Sequence, residues 1–170
     1  MMHRGCIQAL TGKPSDAMTM IPAGIAAWQS SGSIVFVPWY ASHMARACAE
    51  LGQFDEAWRH INEALKAMET TGETWCESDI HRMAGEIALL APEPDVAKAD
   101  THLARALATA REHDGKSWEL RAATSLARHW RDRGEGNRAR ELLVPIYDWF
   151  TEGLQTRDLR EAKVLVDELR

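Results

Sequence analysis

Cysteine is scarce in this 170-residue chain: Cys6, Cys48 and Cys76 are odd in number and far apart. No Cys-x-x-Cys or Cys–His ligand spacing occurs, which argues against a disulfide framework or structural zinc and predicts small buried thiols. An excess of basic charge is also missing. A formal net charge of −5 argues against a nucleic-acid partner. Met1–Leu10 lacks the continuous apolar core of a secretory signal, so a cytoplasmic location is expected. From Ala17 to Ala45 there is no Lys, Arg, Asp or Glu, a span long enough to cross a bilayer. Pro22, Gly24, the polar run Gln29–Ser33 and Pro38 interrupt it. Two short elements joined by a polar turn are therefore predicted, with no membrane partner and an apolar contact surface at the N-terminal end.

What is present is a periodic pattern. Leu51-Gly52-Gln53-Phe54-Asp55-Glu56-Ala57 is followed by Ile61, Ala64 and Leu65. Glycine after an apolar helix end suits a left-handed cap, and Asp55-Glu56 suit the first turn of the next helix. The pattern returns at Ala99, Leu103, Ala106 and Leu107, again at Ala139, Leu143, Ile146 and Tyr147, and more weakly at Ala17, Ile21, Gly24 and Ile25. The alanines Ala17, Ala57, Ala99 and Ala139 are spaced by 40, 42 and 40 positions. A second set of markers keeps step with them: Gly32, Gly72 and Gly115, each followed three residues later by Val35, Trp75 or Trp118.

These markers predict helices at 1–10, 14–30, 35–51, 54–70, 74–90, 95–112, 117–133, 136–150 and 158–169. They form about four hairpins in one domain, with repeats at approximately 1–32, 33–72, 73–115 and 116–153. A lone hairpin cannot bury both apolar faces, so the hairpins are expected to stack. Residues 158–169 read as a C-terminal capping helix, with Leu159, Ala162, Val166 and Leu169 in one stripe amid charges. The N-terminal end has no such polar helix and Met1 falls inside a repeat, so a preceding segment or a partner is expected there. Pro145 inside its helix is expected to kink it.

Leu51-Gly52-x-Phe54-x-Glu56-Ala57 with Ala64-Leu65 resembles the middle of a tetratricopeptide repeat. The stretches Trp75–Glu86, Lys116–Arg128 and Tyr147–Gly153 resemble the C-terminal repeat region of certain bacterial multidomain proteins. In those proteins a class III adenylate or guanylate cyclase domain precedes an ATPase domain and then such repeats. The resemblance implies an all-α, right-handed α-α superhelix of TPR-like hairpins. It implies a scaffolding or regulatory part of a bacterial signalling protein that binds a protein or peptide. The cyclase metal carboxylates and the ATPase phosphate loop have no counterpart here, so neither activity carries over and no cofactor or metal is implied.

The remaining signals are weighed against plainer readings. Ala110–Ser117 satisfies a loose phosphate-loop pattern, but a helix precedes it and Ala110 replaces the first glycine, so it reads as a turn. Glu77 and His81 lie four apart and read as an ion pair, because no further ligand accompanies them. The other histidines are scattered and show no ligand spacing, so no catalytic residue is assigned and no enzyme is expected. The seven tryptophans at helical positions are expected mainly in the core, with Trp149-Phe150 as an exposed anchor or a contact of the cap. Arg121, Thr124, Arg128 and Arg131 recur at helical spacing. With Asp79, Arg82 and Glu86 in the preceding hairpin, and Trp39 and Arg46 before that, they are predicted to line a groove formed by the first helix of each pair. The alternative occupant of that groove is a small molecule, which would make the chain a ligand-sensing regulatory domain. The charge-free N-terminal region predicts homodimerisation through Ile25, Trp28, Ile34 and Phe36.

Overall fold

The computed structural model describes residues 2–32 and 35–170. Among them are nine helices and no strand: α1 (Met2–Leu10), α2 (Pro14–Ser30), α3 (Val37–Glu50), α4 (Phe54–Thr71), α5 (Glu77–Leu90), α6 (Val96–Glu112), α7 (Lys116–Asp132), α8 (Gly136–Asp148) and α9 (Arg157–Leu169). The predicted boundaries differ from these by at most three residues. α8 runs through Pro145 and stops at Asp148, and α2 likewise contains Pro22.

The helices are amphipathic for a readable reason. On α4 the residues Ala57, Ile61, Ala64 and Met68 recur every three or four positions and are buried, while Asp55, Glu56, Arg59 and Glu63 face solvent. Ala17, Ala57, Ala99 and Ala139 are each the fourth residue of an even-numbered helix, and each is completely buried. Four residues on, Ile21, Ile61, Leu103 and Leu143 are also completely buried. A methyl group followed by a large aliphatic one lets each even helix approach closely and then fill the space beside it. At the α5–α6 crossing the approach is closer still, since a Cβ on Gly85 would lie 2.6 Å from Leu103 Cγ. Gly52 (φ 76°) supplies the left-handed residue between α3 and α4. Between α6 and α7 that conformation falls on Asp114 (φ 49°) rather than on Gly115, one position from the expected marker, because aspartate tolerates it.

Pairing is local. α1 packs on α2, α3 on α4, α5 on α6 and α7 on α8, and each pair packs on the next. The odd-numbered helices α1, α3, α5, α7 and α9 pack on one another in series, whereas among the described residues no two even-numbered helices bring their backbones together, α4 and α6 meeting only through Trp58, Lys98 and His102 side chains. α9 closes the C-terminal end against α7 and α8, burying Leu159, Ala162, Leu165 and Val166. The buried apolar side chains form three adjoining clusters along the array.

Two expectations about side chains divide. The three cysteines are free and buried, and burial pushes the Cys6 and Cys76 thiols up to about 12. The tryptophans do not fill the core: none of the seven is fully buried, and Trp149 is 60% exposed. Trp39, Trp58 and Trp130 are half-buried and pack against the edges of the core clusters, while Trp28, Trp75 and Trp149 are exposed. Lys98 covers Trp58 with its ammonium 3.2 Å from the ring centroid, and Arg138 covers Trp130 at 3.7 Å. Phe150 packs against the C-terminal cluster.

Candidate functional site

The odd-numbered helices carry almost all of the buried polar side chains: Ser42 and His43 on α3, Ser78, Asp79 and Arg82 on α5, and Glu119, Thr124, Ser125 and His129 on α7. Several of them converge on one cavity of about 490 Å³. α3 contributes Trp39, His43 and Arg46, α5 contributes Arg82 and Glu86, and α7 contributes Arg121, Thr124, Ser125 and Arg128. α9 adds Arg157, Asp158 and Glu161 on the far side, and Leu10 at the end of α1 completes the wall. Arg157 Nη1 donates to the Leu10 carbonyl at 3.1 Å, so the two ends of the array meet across the cavity.

Spacing on each helix explains the convergence. Arg121, Thr124, Ser125 and Arg128 lie three or four residues apart on α7, and Arg82 and Glu86 lie four apart on α5, so each set shares one face. Ion pairs between successive odd helices then lock these faces together. Arg46 Nη1 lies 2.9 Å from Glu86, Arg82 donates to Asp79 at 2.8 Å and to Glu86 at 2.7 Å, and Ser125 donates to Glu86 at 2.6 Å. Arg121 reaches back to Asp79 at 3.4 Å and across to Asp158 at 3.6 Å.

The charges are fixed by this network. Burial pushes the Glu86 carboxyl up, but the Arg82 and Arg46 guanidiniums and the Ser125 hydroxyl outweigh it and bring it down to about 2. Burial likewise raises Asp79, and Arg82, Arg121 and His43 overcome it, leaving the carboxylate ionised. His43 behaves oppositely. Burial lowers it to about 4, the Asp79 carboxylate resists, and the neighbouring arginines reinforce the drop. At neutral pH it is an uncharged imidazole with one donor and one acceptor, and a weak base.

Among the described residues, four buried side-chain polar atoms have no hydrogen-bond partner: Trp39 Nε1, both His43 ring nitrogens and Asp79 Oδ2. All belong to this region, since Trp39 and His43 line the cavity and Asp79 holds its Arg121. Burying a polar group without a partner costs about 1–3 kcal/mol, so stability is given up in this part of the array.

Of the residues predicted to line a groove, Trp39, Arg46, Arg82, Glu86, Arg121, Thr124 and Arg128 surround this cavity and Asp79 lies behind it. Arg131 does not line it: its guanidinium is taken by Asp132 at 2.7 Å and by Glu168 near the end of α9. His43 was passed over as a scattered histidine, although its spacing from Trp39 and Arg46 puts it on their face. Asp158 and Glu161 fall in the predicted capping helix and Arg157 one residue before it, and nothing local in the sequence says that α9 comes round to α1.

The other candidates are ordinary. Lys116 of the phosphate-loop-like segment is held by Glu119 at 3.2 Å and Asp114 at 3.3 Å, in the turn between α6 and α7. Glu77 pairs with Arg105 at 2.8 Å, and His81 Nδ1 meets His102 Nδ1 at 2.9 Å. No group of three or more metal-ligating side chains occurs among the described residues. Trp28 and Phe36 are partly exposed and Ile25 is half-buried. Ile34 lies outside the described residues. No helix is long and apolar enough to cross a membrane, among the described residues. No family model matches the chain, and a search of curated proteins finds no match either.

Proposed function

We propose that this chain is a binding module rather than an enzyme, and that its ligand is a small molecule held in the cavity encircled by the odd-numbered helices. In this reading the hairpins form a right-handed, tetratricopeptide-like superhelix whose inner row of helices is the binding face. The module serves a regulatory role in a signalling protein. The observation that carries the reading is a cavity of about 490 Å³ walled by charged and polar side chains of α3, α5, α7 and α9, with Arg157 bonded across to the Leu10 carbonyl. That volume falls in the range of small-ligand sites, roughly 300–1,000 Å³. An elongated peptide groove would be open at both ends.

The test is native mass spectrometry of the purified chain after incubation with the fraction of a cell extract below about 1 kDa. A small-molecule adduct is expected. Thr124→Trp, which fills the cavity, is expected to abolish it while circular dichroism stays helical. An adduct equally strong in Thr124→Trp would place binding elsewhere, and no adduct would remove the small-ligand reading.

A protein-interaction reading is favoured by a different feature. Trp28, Phe36 and Trp75 are each more than a third exposed, and the Phe36 and Trp75 rings meet edge-on with centroids 5.4 Å apart. Such a rim suits a macromolecular contact, including self-association through Ile25, Trp28 and Phe36. Light scattering of Trp28→Lys against the parent chain tests it: a dimer that becomes monomer supports the surface, and a monomer in both cases removes self-association.

A further inference from the structure

Two cavities share a wall at Arg128. Beside the large one lies a second of about 400 Å³, formed between α5, α7 and the connection from α5 to α6. Glu86, Ser125 and Arg128 belong to both. The other charged side chains of the two walls are all engaged. Glu86 accepts from Arg82, Ser125 and Arg46. Arg121 lies within 4 Å of Asp158, and Arg157 pairs with Glu161. In the second cavity, His129 and Arg133 both reach Asp100, at 3.0 and 3.1 Å.

Arg128 is the exception. Among the described residues it has neither an ion pair nor a hydrogen bond, although it is half-buried. Asp132, four positions on, would be its natural helical partner. Arg131 has already taken that carboxylate with two bonds, at 2.9 and 2.7 Å. One unmatched positive charge, partly withdrawn from water, therefore stands where the cavities join. Its planar fork of donors suits a carboxylate. Further negative charge on a ligand would find no free counter-charge in either wall.

The second cavity also has an apolar wall, made by Leu89, Leu90, Pro94 and Val96. Leu90 ends α5, Val96 begins α6, and Pro94 stands in the short connection between them. The turn thus leaves apolar residues together at the edge of the cavity, with Leu90 54% and Val96 38% exposed. A single free cation beside an apolar wall is complementary to an amphiphile that carries one negative charge.

We infer that Arg128 and this wall bind a monocarboxylate with an aliphatic body, the carboxylate on the Arg128 guanidinium and the body over Leu89, Leu90, Pro94 and Val96. The inference rests on the small-ligand reading and sets the charged end of the ligand at the junction of the two cavities. Isothermal titration of the full chain with hexanoate tests it, against hexanamide (the same body without charge) and acetate (the same charge without the body). Hexanoate is expected to bind, and each control at least tenfold more weakly. Arg128→Gln is expected to weaken hexanoate at least tenfold and Leu90→Ser severalfold. Both should keep the helical spectrum, since Arg128 has no partner to lose and Leu90 is largely exposed. Hexanamide or acetate binding as tightly as hexanoate would overturn the inference. So would hexanoate binding that is undiminished in either variant, or absent at 10 mM. In that event, an extract adduct that Thr124→Trp removes would leave the large cavity as the seat of a different ligand, whereas no adduct would remove both readings.

Discussion

The two rows of helices differ in what they bury. The even-numbered helices bury alanine and large aliphatic residues at fixed positions and keep their charges outside, with Thr109 on α6 the one buried polar residue among them. The odd-numbered helices bury nine polar or charged side chains, several of them tied across helices. Even helices pack their backbones only on odd ones, so an apolar stripe satisfies them. Odd helices touch each other and also face a cavity, and there ion pairs set the spacing between neighbours. The contrast teaches that the even-numbered, outer row is held by apolar burial, while the odd-numbered, inner row, which walls the cavity, is held by a buried charge network that costs stability wherever a partner is missing.

Breaking the inner network is expected to have the largest effect. Asp79→Ala leaves Arg82 and Arg121 without a shared partner in a buried setting and should cost about 3–5 kcal/mol in chemical denaturation. Asp79→Leu with Arg82→Met removes the charges together and should cost much less. Equal losses in the two would mean that the network holds the inner row by packing rather than by charge.

Protonation probes the same row from inside. His43 has a folded pKa of about 4, below the ordinary value of 6.5, under the influence of Asp79, Arg121, Arg82 and Arg46. The unfolded chain therefore takes up the proton first as pH falls. Stability is complete above about pH 6.5 and declines between 6.5 and 4, by about 3 kcal/mol from this residue. His43→Gln should flatten that part of the stability curve; an unchanged slope would show that His43 is not held neutral.

Where the rows meet, Gly85→Ala forces a methyl group against Leu103 and should cost about 1–3 kcal/mol. At the outer surface, Arg59→Ala removes pairs with Glu56 and Glu63 that are about half exposed, and no measurable change in melting temperature is expected. A large loss there would erase the distinction between the rows.

The outer row was the legible one. Ala57, Ile61 and Ala64 announce a helix face by spacing alone, and the copies at Ala17, Ala99 and Ala139 gave the number of hairpins and every helix to within three residues. The inner face was legible in part: Arg121, Thr124 and Arg128 share a helix face by periodicity, and so do Arg82 and Glu86. Arg131 follows the same spacing but is captured by Glu168, a residue 37 positions away whose approach no local pattern encodes. The meeting of Arg157 and Leu10 was hidden for the same reason, since they are 147 residues apart and no local pattern encodes their approach. The tryptophans were legible only in part: Trp39, Trp58 and Trp130 pack half-buried against the core clusters, while Trp28, Trp75 and Trp149 are exposed, because the crossings beside them are lined by alanine and Gly85.

The most direct measurement of the central claim is an amide and indole ¹⁵N–¹H titration of the labelled chain with the small-molecule fraction that gives the adduct. The account predicts that the Trp39 indole and amides of α3, α5 and α7 around the cavity shift together, while the Trp58 and Trp130 indoles at the rims stay in place. Shifts confined to the even-numbered helices, or to the Trp28 rim with Trp39 unmoved, would contradict it.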